Sequence, residues 1–191
     1  MTSNEVMELF RKTGALLEGH FQYASGRHGK QFLQASRVVQ WPQYTEQLCK
    51  GLAAPYTNDG IELVVGPATG GIILAYETAR HLNCRAAFTE KDGGGGMSLK
   101  RGLALKQGMK VLVVEDIITT GGSVQKTVDH LRGRGASIAG VSVLVDRSGG
   151  EAKFDCRYVP LARFTLESWP ADSCPLCATG VPRTEPDELI V

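Results

Sequence analysis

No apolar run in this chain approaches the ~20 residues that a membrane-spanning helix needs, and the amino-terminal stretch MTSNEVMELFRKTG carries no apolar signal core. The sequence is therefore expected to be soluble and cytoplasmic, with no membrane partner. It also lacks charge of one sign. Lys and Arg number 21 against 20 Asp and Glu, a formal net charge of +1, so no global field draws the chain to nucleic acid or anionic lipid, and any anion site must be local. Cysteine is sparse: the five residues Cys49, Cys84, Cys156, Cys174 and Cys177 are an odd number, and a chain of this size folds without staples, so reduced thiols are expected. Cys174-Pro-Leu-Cys177 has the spacing of half a zinc site or a redox pair. No second CxxC and no HxxxH completes it, and a structural pair is the expectation. His20 and His28 read as loop histidines without a catalytic role. Neither GxxxxGK[ST] nor GxGxxG opens a strand-helix unit, which excludes nucleoside triphosphatases and dinucleotide enzymes. No internal repeat is visible.

What is present is enough for one substantial core, with 191 residues of which 42% are hydrophobic. Thr2 or Ser3 can cap a first helix bearing Val6, Leu9, Phe10 and Thr13 at helical spacing, ended by Gly14. Residues 25–30 read as a loop. Pro42 to about Ala54 fits a second helix. From Ile61 onward, short apolar runs at 61–65, 86–89, 111–114 and 138–145 read as strands, and segments 71–82 and 124–132 read as helices. Strands without a polar face, separated by helices, predict a mostly parallel sheet covered on both sides, an α/β architecture whose ligands bind at the strands' carboxyl ends. A further strand is expected near 164–166. Residues 168–191 hold four of the eight prolines and read as an irregular tail. One domain spanning 1–191 is expected.

Three segments carry chemistry. Val111 to Val114 leads into Glu115-Asp116-Ile117-Ile118 and then Thr119-Thr120-Gly121-Gly122-Ser123. Here the glycines admit an anion close to the backbone, a helix amino terminus favours negative charge, and three hydroxyls add donors. The two acids would repel a phosphate but suit the vicinal hydroxyls of a ribose. Ala68-Thr69-Gly70-Gly71, between strand and helix, is a second candidate anion loop. Glu90 to Arg101 contains four consecutive glycines flanked by Lys91, Lys100 and Arg101. It is expected to stay disordered until an anion orders it. Arg147, following Asp146 at a strand end, offers a carboxylate a planar fork.

The 111–123 segment resembles the phosphoribosyl pyrophosphate signature of the type I phosphoribosyltransferases, and the resemblance extends over most of the chain. It implies their fold, with a small amino-terminal hood over the active site, mainly residues 1–40. It also implies a pyrophosphate loop at 68–71 and a lid at 90–101 that closes over the site and reaches the neighbouring subunit of a homodimer. Mg²⁺ would then be carried by the pyrophosphate substrate, with no metal ligand from protein side chains. Lys91, Lys100 and Arg101 are the candidate catalytic cations. Arg147 matches the orotate-contacting arginine of the orotate branch, and Thr119 stands where purine-specific relatives carry an acid. Ser25-Gly26-Arg27 resembles the segment lying over the pyrimidine, although Ala24 replaces a lysine found in many relatives, for which Lys30 could substitute. The lid has no histidine between Glu90 and Arg101. Asp172 to Pro182 resembles the tail of a bacterial and archaeal subgroup of orotate enzymes.

The implied reaction joins orotate to the ribose phosphate of phosphoribosyl pyrophosphate. One alternative keeps the fold and changes the base to a purine, uracil or xanthine. Another is a non-catalytic sensor of phosphoribosyl pyrophosphate, whose usual basic face or nucleic-acid module is missing here.

Overall fold

The computed structural model describes residues 1–186. The end of the expected tail, 187–191, lies outside the described residues. In chain order the elements are α1 (Ser3–Lys12), β1 (Leu16–Gln22), β2 (His28–Leu33), α2 (Ser36–Val39), α3 (Pro42–Ala53), β3 (Leu63–Pro67), α4 (Gly71–Leu82), β4 (Arg85–Lys91), β5 (Met97–Leu99), β6 (Lys110–Ile118), α5 (Gly122–Gly133), β7 (Ser137–Asp146), β8 (Tyr158–Arg163), β9 (Ser168–Trp169) and α6 (Pro175–Ala178). Helix α1 begins in a capping box: Thr2 accepts from the Glu5 amide while the Glu5 side chain accepts from the Thr2 amide.

The main sheet has the order β5-β4-β3-β6-β7-β8, parallel except for the antiparallel edge strand β5. Alternate residues of its central strands serve two separate cores, as a period of two requires when both faces are covered. Val64, Leu112, Val114 and Leu144 pack with Leu48, Leu52 and Leu74 of α3 and α4. Leu63, Val65, Val111, Val113 and Val143 pack on the other face with Val124, Val128 and Leu131 of α5. This is the mostly parallel, helix-covered α/β sheet that the apolar runs predict.

The second sheet is small, with the order β1-β2-β9. It differs from the sequence reading in two ways. Residues 28–30 belong to strand β2 and only 23–27 form the turn. The third strand comes from the tail, with His28 opposite Trp169 and Gly29 opposite Ser168. Strand β1 escapes a periodicity argument because Gly19 and a bulge between Glu18 and Phe21 break its alternation. The strand expected at 164–166 is instead β8, six residues earlier in its start, where Tyr158 to Arg163 lie parallel to β7.

The glycine-rich segment also departs from expectation. It is an ordered hairpin between β4 and β5, with Glu90 opposite Ser98 and Lys91 opposite Met97. Asp92 accounts for the order, since its Oδ1 accepts the amides of Gly94 and Gly96, both at 2.9 Å. Gly93 and Gly95 take φ of 82° and 83°, which side-chain-bearing residues rarely adopt.

Candidate active site

Strand β3 pairs with β6 only as far as Val65 opposite Val113, whereas β6 continues beside β7 to Ile118 opposite Asp146. The extra length brings Glu115 and Asp116 to the carboxyl edge of the sheet, level with the loop that leaves β3. The 68–71 loop turns over that edge. The Ala68 amide donates to the Thr89 carbonyl at 2.7 Å, and the Ala68-Thr69 peptide bond is cis. Any Cβ on Gly70 would collide with the Asp116 carboxylate, so only glycine lets loop and acid approach so closely. A cavity of about 430 Å³ opens between Thr69, Gly70, Asp116, Ile117 and the 33–40 segment.

Beyond Ile118, Thr119 and Thr120 lead into Gly121, whose φ of 78° turns the chain into α5. A Cβ there would lie 3.0 Å from the Phe154 ring, which packs over the loop. Residues 117–124 and Glu115 enclose a polar hollow of about 80 Å³. Gly122, Ser123 and Val124 of the first turn of α5 line this hollow, and a helix amino terminus favours an anion. Among the described residues, neither Glu115 nor Asp116 enters a salt bridge. Their own backbone occupies part of their capacity: Asp116 Oδ1 accepts the Ile117 amide at 2.6 Å and Glu115 Oε1 the Asp116 amide at 3.1 Å. Burial, followed by the adjacent Asp116 charge, pushes the Glu115 carboxyl up to about 9, and burial raises Asp116 as well. Two such acids at a cavity edge make this edge the candidate site.

Arg147 is held beside this edge by its amide, which donates to the Ile118 carbonyl at 2.7 Å. Its neighbour Asp146 is engaged elsewhere, accepting from the Ser148 amide and hydroxyl and lying 3.8 Å from Arg163. The Arg147 guanidinium stacks 5.2 Å from the centroid of the Tyr23 ring, and its Nε is buried with no hydrogen-bond partner. Burial disfavours its charge. A buried guanidinium with an unused donor is costly unless an anion joins it.

Tyr23 is the residue that sequence reasoning missed. Its hydroxyl donates to the Gln31 carbonyl at 2.6 Å, so it links the small sheet to Arg147 across the cleft. An aromatic just before the Ser25-Gly26 turn was the available signal. Ser25 and Gly26 form that turn, with Gly26 at φ 78°. Arg27 faces the tail, donating from Nε to Ser168 Oγ at 2.9 Å and from Nη2 to the Ser168 carbonyl. Lys30 is ion-paired with Glu167 at 2.9 Å. The three hairpin cations are exposed: Lys100 donates to the Lys91 carbonyl at 2.7 Å and Arg101 pairs with Glu90 at 3.1 Å.

The phosphoribosyl transferase domain family matches residues 36–168, most of the main sheet and both loops. The chain is 46% identical over 186 residues to the orotate phosphoribosyltransferase of Desulforamulus reducens, with 97% of each chain covered. It is 42% identical over 181 residues to that of Thermus thermophilus, covering 95% of this chain and 99% of the other. The chain belongs to the orotate phosphoribosyltransferases. The crystal structure of the Aeropyrum pernix member superposes with a TM-score of 0.68 at 26% identity, covering 83% of this chain and 93% of that one. The fold is thus that of the type I phosphoribosyltransferases, and the chain is a transferase of this family.

The five cysteines are free, as expected, and it is the placement of the two histidines in loops that needs correction. His20 and His28 are buried strand residues of β1 and β2, and the tail brings Cys174 and Cys177 against them. Two potential nitrogen ligands thus stand beside the CxxC pair, supplied by two neighbouring strands, which no contiguous HxxxH pattern could display. Among the described residues no helix is long and apolar enough to cross a membrane.

Proposed function

We propose that this chain moves the 5-phosphoribosyl group of phosphoribosyl pyrophosphate onto orotate, releasing pyrophosphate and giving orotidine 5′-monophosphate for UMP synthesis. The observation that carries the choice of base is Arg147, a half-buried guanidinium with an orphaned Nε beside the anion loop. Orotate bears a carboxylate next to the nitrogen that is alkylated, and a planar fork binds that group in two places. Thr119 completes the base side without offering an acid. Tyr23 stacks under the guanidinium, and the turn of Ser25 and Gly26 lies over the pyrimidine. Arg27 contacts the base in the resemblance; its bonds to Ser168 here support a role in fixing the turn.

The 5′-phosphate occupies the loop of Thr119, Thr120, Gly121, Gly122 and Ser123, and Glu115 and Asp116 hold the ribose hydroxyls. The diphosphate lies along Ala68, Thr69, Gly70 and Gly71, with Ile117 and Ile118 forming the floor between the two loops. Glycosyl transfer builds positive charge on the ribose carbon while negative charge departs with the diphosphate. The acids beside the sugar and the cations of the hairpin match these two needs. Lys91, Lys100 and Arg101 neutralise the leaving group when the hairpin folds onto it. The cofactor is Mg²⁺ brought in on the diphosphate: two carboxylates outside any ion pair suit hydroxyls that share a hard cation, and they are too few for an all-protein cage. When bound, it neutralises charge on the departing pyrophosphate.

A homodimer with shared active sites accompanies this reading. Ile73 and Tyr76 of α4 are 53% and 68% exposed and share a surface hollow with Val39 and Pro42, an apolar patch that the proposed homodimer would cover. Five free cysteines support a reducing, cytoplasmic setting.

Purified protein supplied with Mg²⁺, phosphoribosyl pyrophosphate and orotate should release pyrophosphate in step with loss of orotate absorbance. Adenine, hypoxanthine, xanthine and uracil should give no comparable turnover. Release with one of those bases instead would overturn the base assignment, and binding of phosphoribosyl pyrophosphate with no turnover of any base would favour a sensor.

A further inference from the structure

The cluster of His20, His28, Cys174 and Cys177 lies in the small sheet and the tail, and the phosphoribosyl chemistry uses none of these residues. Their ligand atoms all fall within 4.8 Å of one another. His20 Nε2 is 3.0 Å from His28 Nδ1 and 3.6 Å from each of the two sulfurs, and Cys177 Sγ is 3.2 Å from His28 Nδ1. A tetrahedral zinc ion with Zn–N near 2.0 Å and Zn–S near 2.3 Å has N···N edges of roughly 3.3 Å and N···S edges of roughly 3.5 Å. The N···N separation is about 0.3 Å short of its edge and the three N···S separations fall within about 0.3 Å of theirs, so one ion among these donors would need only small shifts.

The hydrogen bonding around the cluster fits the same reading. His20 Nδ1 lies 2.7 Å from the Val181 carbonyl oxygen. A carbonyl can only accept, so Nδ1 carries the proton and Nε2 turns its lone pair into the cluster, the orientation that metal-bound histidines take from such a partner. His20, His28 and Cys174 are 1%, 5% and 2% exposed, while Cys177 sits at the rim. Cys174 and Cys177 are not joined in a disulfide. The CxxC spacing places both sulfurs on one side, at the cap and within the four-residue helix α6, and the β1–β2 hairpin supplies both nitrogens. The tail here is short of apolar anchors, for α6 contains no buried residue.

We infer that these four side chains form a structural zinc site that clasps the carboxy-terminal tail to the small amino-terminal sheet. Two thiolates and two imidazoles suit zinc and reject Mg²⁺, which prefers oxygen. All four positions are filled by protein, so the ion has no open position for substrate and acts by holding the chain. The clasp continues contacts already present, the Thr184 amide donating to the His20 carbonyl at 2.7 Å and the pairing of β2 with β9. A second group of possible ligands, Glu46, Glu77 and His81, is already engaged: Arg80 pairs with both carboxylates, and His81 lies 3.3 Å from Glu77. It serves as an internal control.

The full chain, produced in zinc-supplemented medium under reducing conditions and dialysed against metal-free buffer, should retain about one zinc per chain by elemental analysis. Cobalt exchange should give the visible absorption of a tetrahedral ion together with thiolate charge-transfer bands, and a strong chelator should lower the melting temperature. Cys177→Ser, at an exposed position, should lose the zinc and the charge-transfer intensity, and His81→Ala should keep both. The inference is overturned if the zinc-supplied wild type dialyses to a small fraction of one ion per chain, if Cys177→Ser holds zinc as well as the parent, or if mass spectrometry finds Cys174 and Cys177 joined as a disulfide under those conditions. The wild-type measurements decide the matter even where a variant fails to fold, and none depends on orotate turnover.

Discussion

Arg147 has a buried Nε without a partner and a guanidinium laid on Tyr23, so an incoming carboxylate would satisfy a donor that the empty protein leaves unused. Charge-assisted hydrogen bonds contribute about 1.5–3 kcal/mol, and Arg147→Ala should raise KM for orotate by roughly 10- to 150-fold while leaving KM for phosphoribosyl pyrophosphate within a few-fold. Arg147→Lys should recover little, because an ammonium cannot form the fork. Steady-state kinetics with each substrate varied in turn checks both. Glu115 makes a different prediction. Its native carboxyl holds a proton more tightly than an unfolded one does, because burial and Asp116 both penalise the charge. The stabilising effect is therefore complete below the ordinary glutamate range and is lost as pH rises toward about 9. Across that window the melting temperature of the ligand-free protein should fall, by at most roughly 3–5 °C per pH unit. Glu115→Gln should flatten the dependence and lower kcat/KM for phosphoribosyl pyrophosphate, which differential scanning fluorimetry and initial rates would show.

At the scale of elements, the two loops proposed to hold anions are built where buried strands end, and glycine decides their shape. Gly121 has a left-handed φ and lies under Phe154. Gly121→Ala should cost roughly 1–2 kcal/mol from backbone strain alone, lowering the midpoint of chemical unfolding, and should weaken phosphate binding through the displaced loop. The β4–β5 hairpin makes the converse case. Four glycines in a row suggest disorder, yet a single carboxylate gathers two of their amides. Asp92→Ala should speed hydrogen exchange at residues 93–99 with little change in global stability, since the hairpin tip is exposed. Unchanged exchange there would show that the pairing of β4 with β5 suffices by itself.

For the whole molecule, the main sheet and the small sheet meet across a cleft that Tyr23 and Arg147 bridge, while the tail returns to complete the small sheet. Ile73 and Tyr76 are exposed beside the 68–71 loop, and the proposed homodimer would use them as a subunit contact. Tyr76→Glu should convert a dimer to a monomer in light scattering and reduce turnover more than its distance from the reacting atoms would suggest. A wild-type protein that is monomeric at all concentrations would remove the shared-site part of the proposal.

The sequence by itself determined the parallel sheet and the position of both candidate anion loops, because each depends on contiguous residues: a strand buried on both faces has no polar alternation to obscure it, and a loop of acids, hydroxyls and glycines keeps its chemistry within a dozen positions. Strand β1 was less legible because a bulge breaks its period, and the glycine-rich hairpin because composition alone does not reveal Asp92 folding back onto the tip. Only the tertiary structure decided that Tyr23 faces Arg147 and that His20 and His28 meet Cys174 and Cys177. Those pairs are separated by more than a hundred residues, and no local pattern encodes a contact that forms only when the tail closes against the first hairpin.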